Sequence, residues 1–257
     1  MKRNVGALAA ALGASLAWLA TPARASADDE IVLGTRPESR AASSQNFALE
    51  VRASLYNPQV DSDPALKGKT PFASTFGSQT RFEGAIEFDW QAYRIPGIGT
   101  IGPAYSIGYY SISGLATVVQ TGLPSAESTT LEILPMYLVA VFRADVLWRQ
   151  LHIPLVPYAK AGMGLAFWRA SNTVGTSVSS NGTVGEGHTW GPQLAAGLAF
   201  NIGVFDPTSV QQLDEATGIN NTYLFAEYMA SLLNGIGQND PLLVGSSGLA
   251  FGLAFEF

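Results

Sequence analysis

The chain has no cysteine and only two histidines, His152 and His188. The missing cysteines exclude a disulfide framework, a thiol nucleophile and cysteine-bound metal. They also argue against a lipid-anchored protein, which would need a cysteine to carry the lipid. Charge is scarce: 13% of the 257 residues are Asp, Glu, Lys or Arg, against roughly 25% in an ordinary soluble domain. There is no basic cluster and the formal charge is −6, so no nucleic acid is expected as a partner. Past the first 27 residues, no apolar run approaches the roughly 20 residues of a transmembrane helix. Yet hydrophobic residues make up 47% of the chain. An apolar excess without a long run has to be spread along the sequence.

What is present begins with the N-terminus. Lys2 and Arg3 precede a run from Val5 to Ala20 of Ala, Leu, Gly, Val and Trp, with one Ser inside. Pro22 follows, then the small-x-small sites Ala23-Arg24-Ala25 and Ala25-Ser26-Ala27. A charged start, a short apolar middle and an A-x-A end predict a secretory signal peptide over 1–27. Cleavage would remove Lys2, Arg3 and Arg24, leaving 11 of 14 positive side chains against 20 negative ones, or −9. Residues 28–47 are polar and predict a flexible periplasmic tail.

From Ala48 the period is 2, repeatedly. Leu49, Val51, Ala53 and Leu55 alternate with Glu50, Arg52 and Ser54. Phe82, Gly84, Ile86, Phe88 and Trp90 alternate with Arg81, Glu83, Ala85, Glu87, Asp89 and Gln91. Ile101, Tyr105, Ile107 and Tyr109 oppose Gly102, Ala104, Ser106 and Gly108. Leu131, Ile133, Tyr137, Val139 and Val141 share one side, with Glu132 opposite. Leu155, Ala159, Ala161, Met163, Leu165 and Phe167 oppose Tyr158, Lys160, Gly162, Gly164 and Trp168. Trp190, Leu194, Ala196, Leu198 and Phe200 oppose Gly191, Gln193, Ala195, Gly197 and Ala199. Leu224, Ala226, Tyr228, Ala230 and Leu232 oppose Glu227, and the chain closes with Leu249, Phe251, Leu253, Phe255 and Phe257 against Gly248, Ala250, Gly252, Ala254 and Glu256.

These are eight segments of about the length of a tilted strand crossing a bilayer. A soluble sandwich also alternates, but its strands are typically shorter. Here the opposite faces carry many Gly and Ala, which suits a narrow lumen. Aromatics gather near strand ends: Tyr56, Phe82, Tyr109, Tyr110, Phe167, Trp168 and Trp190 at one level, and Phe88, Trp90, Phe142, Trp148, Tyr158, Phe200, Tyr223, Phe255 and Phe257 at the other. Two such belts mark two membrane interfaces. The expected fold is all-β: a closed antiparallel transmembrane β-barrel over 48–257, in the outer membrane, of eight strands. Ten strands would need a hairpin hidden in one of the long connections. The outer loops fall at 57–80, 114–128, 169–189 and 233–245, and the inner turns at 92–100, 143–154 and 201–221. Two helices are expected at the inner end, one over 206–218 behind Asp206-Pro207 and one over 143–150.

With apolar faces toward lipid, the lumen receives Glu50, Arg52, Arg81, Glu83, Glu87, Asp89, Glu132, Lys160, Glu227 and Glu256. An eight-stranded lumen is just wide enough to be filled by side chains, and buried charges need partners. The leading expectation is therefore a packed charge network and a structural or surface-interaction barrel. A narrow, cation-preferring path lined by acids is the alternative. A lipid-modifying hydrolase at the outer rim is a distant third, built on His188 near Ser177, Ser179, Ser180 and Glu186. No cofactor and no metal are expected, because the topology puts the two histidines at opposite ends.

The last six residues, Gly252-Leu253-Ala254-Phe255-Glu256-Phe257, resemble the C-terminal signal of bacterial outer-membrane barrels. That signal runs Gly-x-x-hydrophobic-x-aromatic, usually with a polar residue two before the glycine, where this chain has Ala250. The whole region from 48 is similar to the small OmpA/OmpX-like barrels and, loosely, to uncharacterised outer-membrane barrels of myxobacteria. The resemblance implies outer-membrane lipid, periplasmic chaperones and the barrel assembly machinery as partners. It implies Gly252, Phe255 and Phe257 as the assembly signal, and leaves any small ligand at the outer loops unknown.

The signal predicts a difference between assembly and fold. Burying one aromatic ring against lipid contributes on the order of 1.5–3 kcal/mol, enough to weaken a barrel but seldom to abolish it. Deleting Phe257 should sharply reduce the heat-modifiable, membrane-inserted form in cells. The same variant should still refold from urea into detergent. Normal assembly in cells would remove the aromatic from any signalling role.

Overall fold

The computed structural model describes residues 46–117, 124–178 and 182–257. The expected signal peptide and nearly all of the expected tail lie outside the described residues. Ten strands are formed: β1 (Phe47–Tyr56), β2 (Arg81–Trp90), β3 (Tyr93–Ile95), β4 (Gly99–Thr117), β5 (Pro124–Arg143), β6 (Leu155–Asn172), β7 (Gly175–Thr176), β8 (Glu186–Asn201), β9 (Asn221–Ser231) and β10 (Ser246–Glu256). Two of them are appendages. β3 continues β2 along β4, and β7 folds back on the end of β6. The other eight pair antiparallel in the order β2-β1-β10-β9-β8-β6-β5-β4, and the β2–β4 pairing closes the ring. Eight strands therefore cross, as the alternation implies.

The register fixes the width. Followed once around from Ala48 through Asp89, Ala104, Val139, Gly162, Gln193, Ser231 and Ser246, the pairing returns opposite position 58, ten residues above its start. That stagger tilts the strands and sets a lumen that side chains can fill.

The polarity is inside-out. Glu50, Arg52, Glu87, Asp89, Lys160 and Glu227 are buried, while Phe82 and Leu138 are each 63% exposed. Outward rows such as Ile86–Ile107 and Leu253–Leu224 run in Cα register across neighbouring strands. Such a surface is stable only against lipid. A closed sheet also meets the demand that every backbone polar group be satisfied there. No helix among the described residues is long and apolar enough to cross a membrane. The chain is a closed, eight-stranded transmembrane β-barrel.

Seven crossing strands face as their patterns predict; β5 does not. Leu131, Ile133, Tyr137, Val139 and Val141 point into the lumen, and Glu132 points outward. Both faces of β5 are apolar, because Leu134, Met136, Leu138 and Phe142 occupy the other side. Equating the apolar face with lipid fails on a strand whose lumen is apolar too. Among the belt aromatics, Tyr56, Tyr110, Tyr158 and Tyr223 are buried inside the barrel rather than set at the membrane interfaces.

The outer hairpins are longer than expected. β4 has 19 residues and β5 has 20, so strand covers much of what read as the loop 114–128. Past Tyr109 the polarity inverts: Tyr110, Ile112 and Leu131 are buried inside while Ser111 and Ser113 are exposed outside, so no outward apolar row marks the continuation of the strands. The first outer loop forms a short helix, α1 (Pro71–Phe76), which the pattern did not show. Both inner helices exist: α2 (Val146–Leu151) and α3 (Pro207–Thr217). At α3, Asp206 accepts from Ser209 N at 3.0 Å and from the Ser209 hydroxyl at 2.6 Å. Those bonds hold its carboxyl below the ordinary aspartate range. Gly218 ends the helix at φ 77°, where a side chain would be strained.

The topology predicts accessibility. A protease tag inserted within 61–69 should be cleavable on intact cells, and one within 208–216 only after the outer membrane is breached. Cleavage at 208–216 on intact cells would reverse the orientation.

Candidate functional site

The lumen is where the chemistry gathers. Each crossing strand sends every second side chain inward, and three layers result.

The inner layer closes the mouth at which β1 begins and β10 ends. The Glu256 carboxylate accepts from Gln91 Nε2 at 2.5 Å, the Tyr223 hydroxyl at 3.0 Å and Asn221 Nδ2 at 3.1 Å. The concavity left there, between Arg143, Trp148, Arg149 and Tyr223, measures about 10 Å³, about the space one water needs.

Above it lies an ionic layer. Arg143 bonds Asp89 through Nε at 2.8 Å and Glu50 through Nη2 at 2.7 Å. Lys160 Nζ lies 2.8 Å from Glu50, 2.5 Å from Glu87 and 3.3 Å from Glu227. Arg52 Nη2 lies 2.8 Å from Glu50, 3.3 Å from Glu87 and 3.1 Å from Glu227. Four carboxylates on β1, β2 and β9 are thus held by three cations on β1, β5 and β6. Aromatic faces add to the hold. Arg143 and Lys160 stand 5.5 and 5.1 Å from the Tyr158 ring centre, and Arg52 stands 5.8 Å from that of Phe225. Gly197 makes room for this: a Cβ there would come within 2.6 Å of Glu227 Cβ and 2.8 Å of Tyr158 Cζ. The bonding is incomplete. Both Glu227 oxygens are within ion-pair distance of cations, yet neither receives an aligned hydrogen bond. Arg52 Nε, Asp89 Oδ1, Tyr158 OH, Ser106 Oγ and Gln193 Oε1 are also buried without a hydrogen-bond partner.

The outer layer is an apolar plug. The Tyr56 and Tyr110 rings meet tilted at 47°, with centroids 4.7 Å apart, packed with Ile133, Leu233 and Val244. Phe72 of α1 joins the same cluster from above. The Tyr56 hydroxyl donates to Val244 O, and Gln59 N donates to Gly245 O at 2.9 Å, tying loop 232–245 down. Asp61 accepts from Phe72 N and Ala73 N at 2.7 and 2.8 Å, which seats α1.

Of the predicted lumen charges, Glu50, Arg52, Glu87, Asp89, Lys160 and Glu227 come together. Glu83 lies above them, bonded by Ser54 Oγ at 2.9 Å, and Glu256 lies below. Two stand apart. Arg81 is exposed at the outer rim. Glu132 is on the outer surface, where it accepts from the Tyr109 hydroxyl at 2.7 Å. Arg143 was missed. It reads as the start of an interfacial helix until β5 is turned over; it then continues the inward series from Val139 and Val141. Of the C-terminal residues, Gly252 lies opposite Arg52 and Phe255 opposite Leu49. Phe257 N donates to Phe47 O at 2.9 Å.

The rim histidine faces outward, its ring centre 6.2 Å from that of Phe167. Ser179 and Ser180 lie outside the described residues. Among the described residues, no three His, Asp or Glu side chains are grouped to hold a metal ion.

No protein-family model and no curated protein matches the chain. Three solved structures show a distant likeness. The attachment invasion locus protein Ail of Yersinia pestis, in complex with the heparin analogue sucrose octasulfate, is 12% identical, with 83% of this chain and 97% of that one aligned at a TM-score of 0.41. The N-terminal β-barrel domain of Pseudomonas aeruginosa OprF is 13% identical, over 83% and 98%, at 0.36. The outer membrane protein OprG of the same species is 9% identical, over 84% and 97%, at 0.46. These likenesses are too slight to bring a role to this chain.

The ionic layer predicts an asymmetric response to substitution. Lys160→Met leaves Glu50, Glu87 and Glu227 short of a cation, and should cost about 3–5 kcal/mol of stability. Glu132→Gln, on the outer surface, should stay within about 0.5 kcal/mol of the parent. Urea midpoints of the refolded barrel in detergent measure both. Equal midpoints for Lys160→Met and the parent would mean that the layer is hydrated rather than packed.

Proposed function

We propose that the protein is a sealed outer-membrane barrel that serves as a rigid base for surface interaction, not as a pore. The observation that carries this is the filled lumen: an ionic layer of seven side chains under an apolar plug, the plug capped by two outer loops. The outer hairpins supply the surface. A bilayer crossing takes about 9–11 residues, the length of β1, β9 and β10. β4 and β5 are nearly twice that. Their outer ends therefore stand clear of the membrane on one side of the mouth. β2 pairs with β4 only as far as Gly84–Tyr109, so Tyr110–Thr117 has a strand neighbour, β5, on one side only. α1 lies against this stretch on the other side, where a Cβ at Gly114 would come within 2.1 Å of Thr75 O.

A second reading, a narrow ion path, is favoured by the excess of carboxylates and by the buried oxygens without partners. Conductance separates the two. In planar bilayers the purified barrel should give no channel steps. Stable steps that shift with Lys160→Met would establish the path and end the sealed-barrel reading. Deleting 116–127, which shortens the protruding hairpin beyond the Gly114–Thr129 pair, should leave a heat-modifiable and still silent barrel. A hairpin needed for folding itself would fail that test.

A further inference from the structure

The lipid-facing surface is not evenly covered. Phe142, Ala159, Ala196 and Tyr228 lie in Cα register across β5, β6, β8 and β9. Two small side chains between two rings leave a hollow, and Ala161 and Ile101 extend its lining. It holds about 530 Å³ and is almost wholly apolar, within the size range of pockets that take small ligands.

Below the hollow, at the end of the barrel where β1 begins, two arginines meet. Asp145 Oδ2 lies 2.7 Å from Arg94 Nη1 and 2.8 Å from Arg149 Nε. One carboxylate thus serves two guanidiniums, and the three groups together carry one positive charge. Both arginine side chains are well exposed. The register sets their distance from the hollow. Arg94 pairs with Thr100, next to Ile101, and Asp145 follows Phe142 by three residues, at most about 10 Å of chain. The neighbours are apolar and exposed: Tyr93, Ile98, Leu151 and Ile153. Tyr93 is in register with lipid-facing Ile101, and Val146 N at the start of α2 donates to Ile98 O at 3.3 Å. Exposed apolar side chains beside arginines, at the end of transmembrane strands, sit at the level of lipid headgroups.

We infer that the hollow and the arginine pair below it form one site for an anionic phospholipid, with its phosphate at Arg94 and Arg149 and one acyl chain in the hollow. Guanidinium N–H groups fit phosphate oxygens, and the surplus positive charge favours a headgroup of net negative charge over a zwitterionic one. The hollow accepts any acyl chain; the charge at its end selects the lipid. A second copy of the chain fits less well. Two barrels inserted the same way and related by a two-fold axis would bring the same arginines together at the same depth. The site lies at the opposite end from the outer hairpins, so it depends on neither the seal nor the surface role.

The test is made on the barrel refolded into nanodiscs of phosphatidylcholine and phosphatidylglycerol in equal parts. Native mass spectrometry then counts the lipids that stay on the released protein. One phosphatidylglycerol should be retained, in preference to phosphatidylcholine by about fivefold or more. The double variant Arg94→Gln/Arg149→Gln, changed at exposed positions only, should remain heat-modifiable and lose the preference. Ala159→Phe, which fills the hollow from the lipid side, should lose the retained lipid with both arginines in place. Equal retention of the two lipids by the parent overturns the site, whether or not the variants fold. A preference that survives the double variant also overturns it. A parent released as a lipid-free dimer would give the hollow to a second copy instead.

Discussion

Backbone satisfaction in lipid is the constraint on which everything else rests. A strand in a bilayer cannot leave its N–H and C=O groups unpaired, because no water is there to take them. The sheet must close, and here the β2–β4 pairing closes it. With eight strands and a stagger of ten residues, closure also sets the lumen width. The inward side chains must then fill a narrow cylinder with no solvent to spare. Glycines at 108, 197 and 252 mark where a large neighbour needs the room.

The lumen meets that demand in two ways, and the division runs along the barrel axis. Toward the mouth where β1 begins, buried charges are present and have to find one another. Glu50 shows how: it is touched by Arg52, Arg143 and Lys160, from three strands. A network of this kind contributes little net stability relative to an apolar core, but removing one member leaves the rest exposed to a low dielectric. Toward the outside the fill is apolar, and it is completed by loops. Phe72 and Val244 come from connections rather than strands, so the plug depends on α1 and on loop 232–245 being seated.

The same geometry produces an uneven rim. Strands of 10 or 11 residues lie beside strands of 19 and 20. The short side only crosses the membrane; the long side continues into water, where alternation is no longer enforced by lipid. This is why the outer parts of β4 and β5 were hard to read as strand.

Much was legible in the chain alone. Seven alternating segments face as their residues imply, because a strand with lipid on one side and charge on the other can lie only one way. Both inner helices were legible too, α3 from its Asp-Pro start and its Gly stop. The lumen placement of Glu50, Arg52, Glu87, Asp89, Lys160 and Glu227 follows from parity alone. The facing of β5 does not. Its two faces are both apolar, so nothing local distinguishes lipid from plug, and Glu132 and Arg143 exchange roles with that choice. Only pairing with β4 and β6 decides it, since neighbours in register must point the same way. The convergence of Arg52, Arg143 and Lys160 on Glu50 was likewise beyond the sequence. Which carboxylate meets which cation depends on strand tilt and stagger, and these exist only once the sheet has closed.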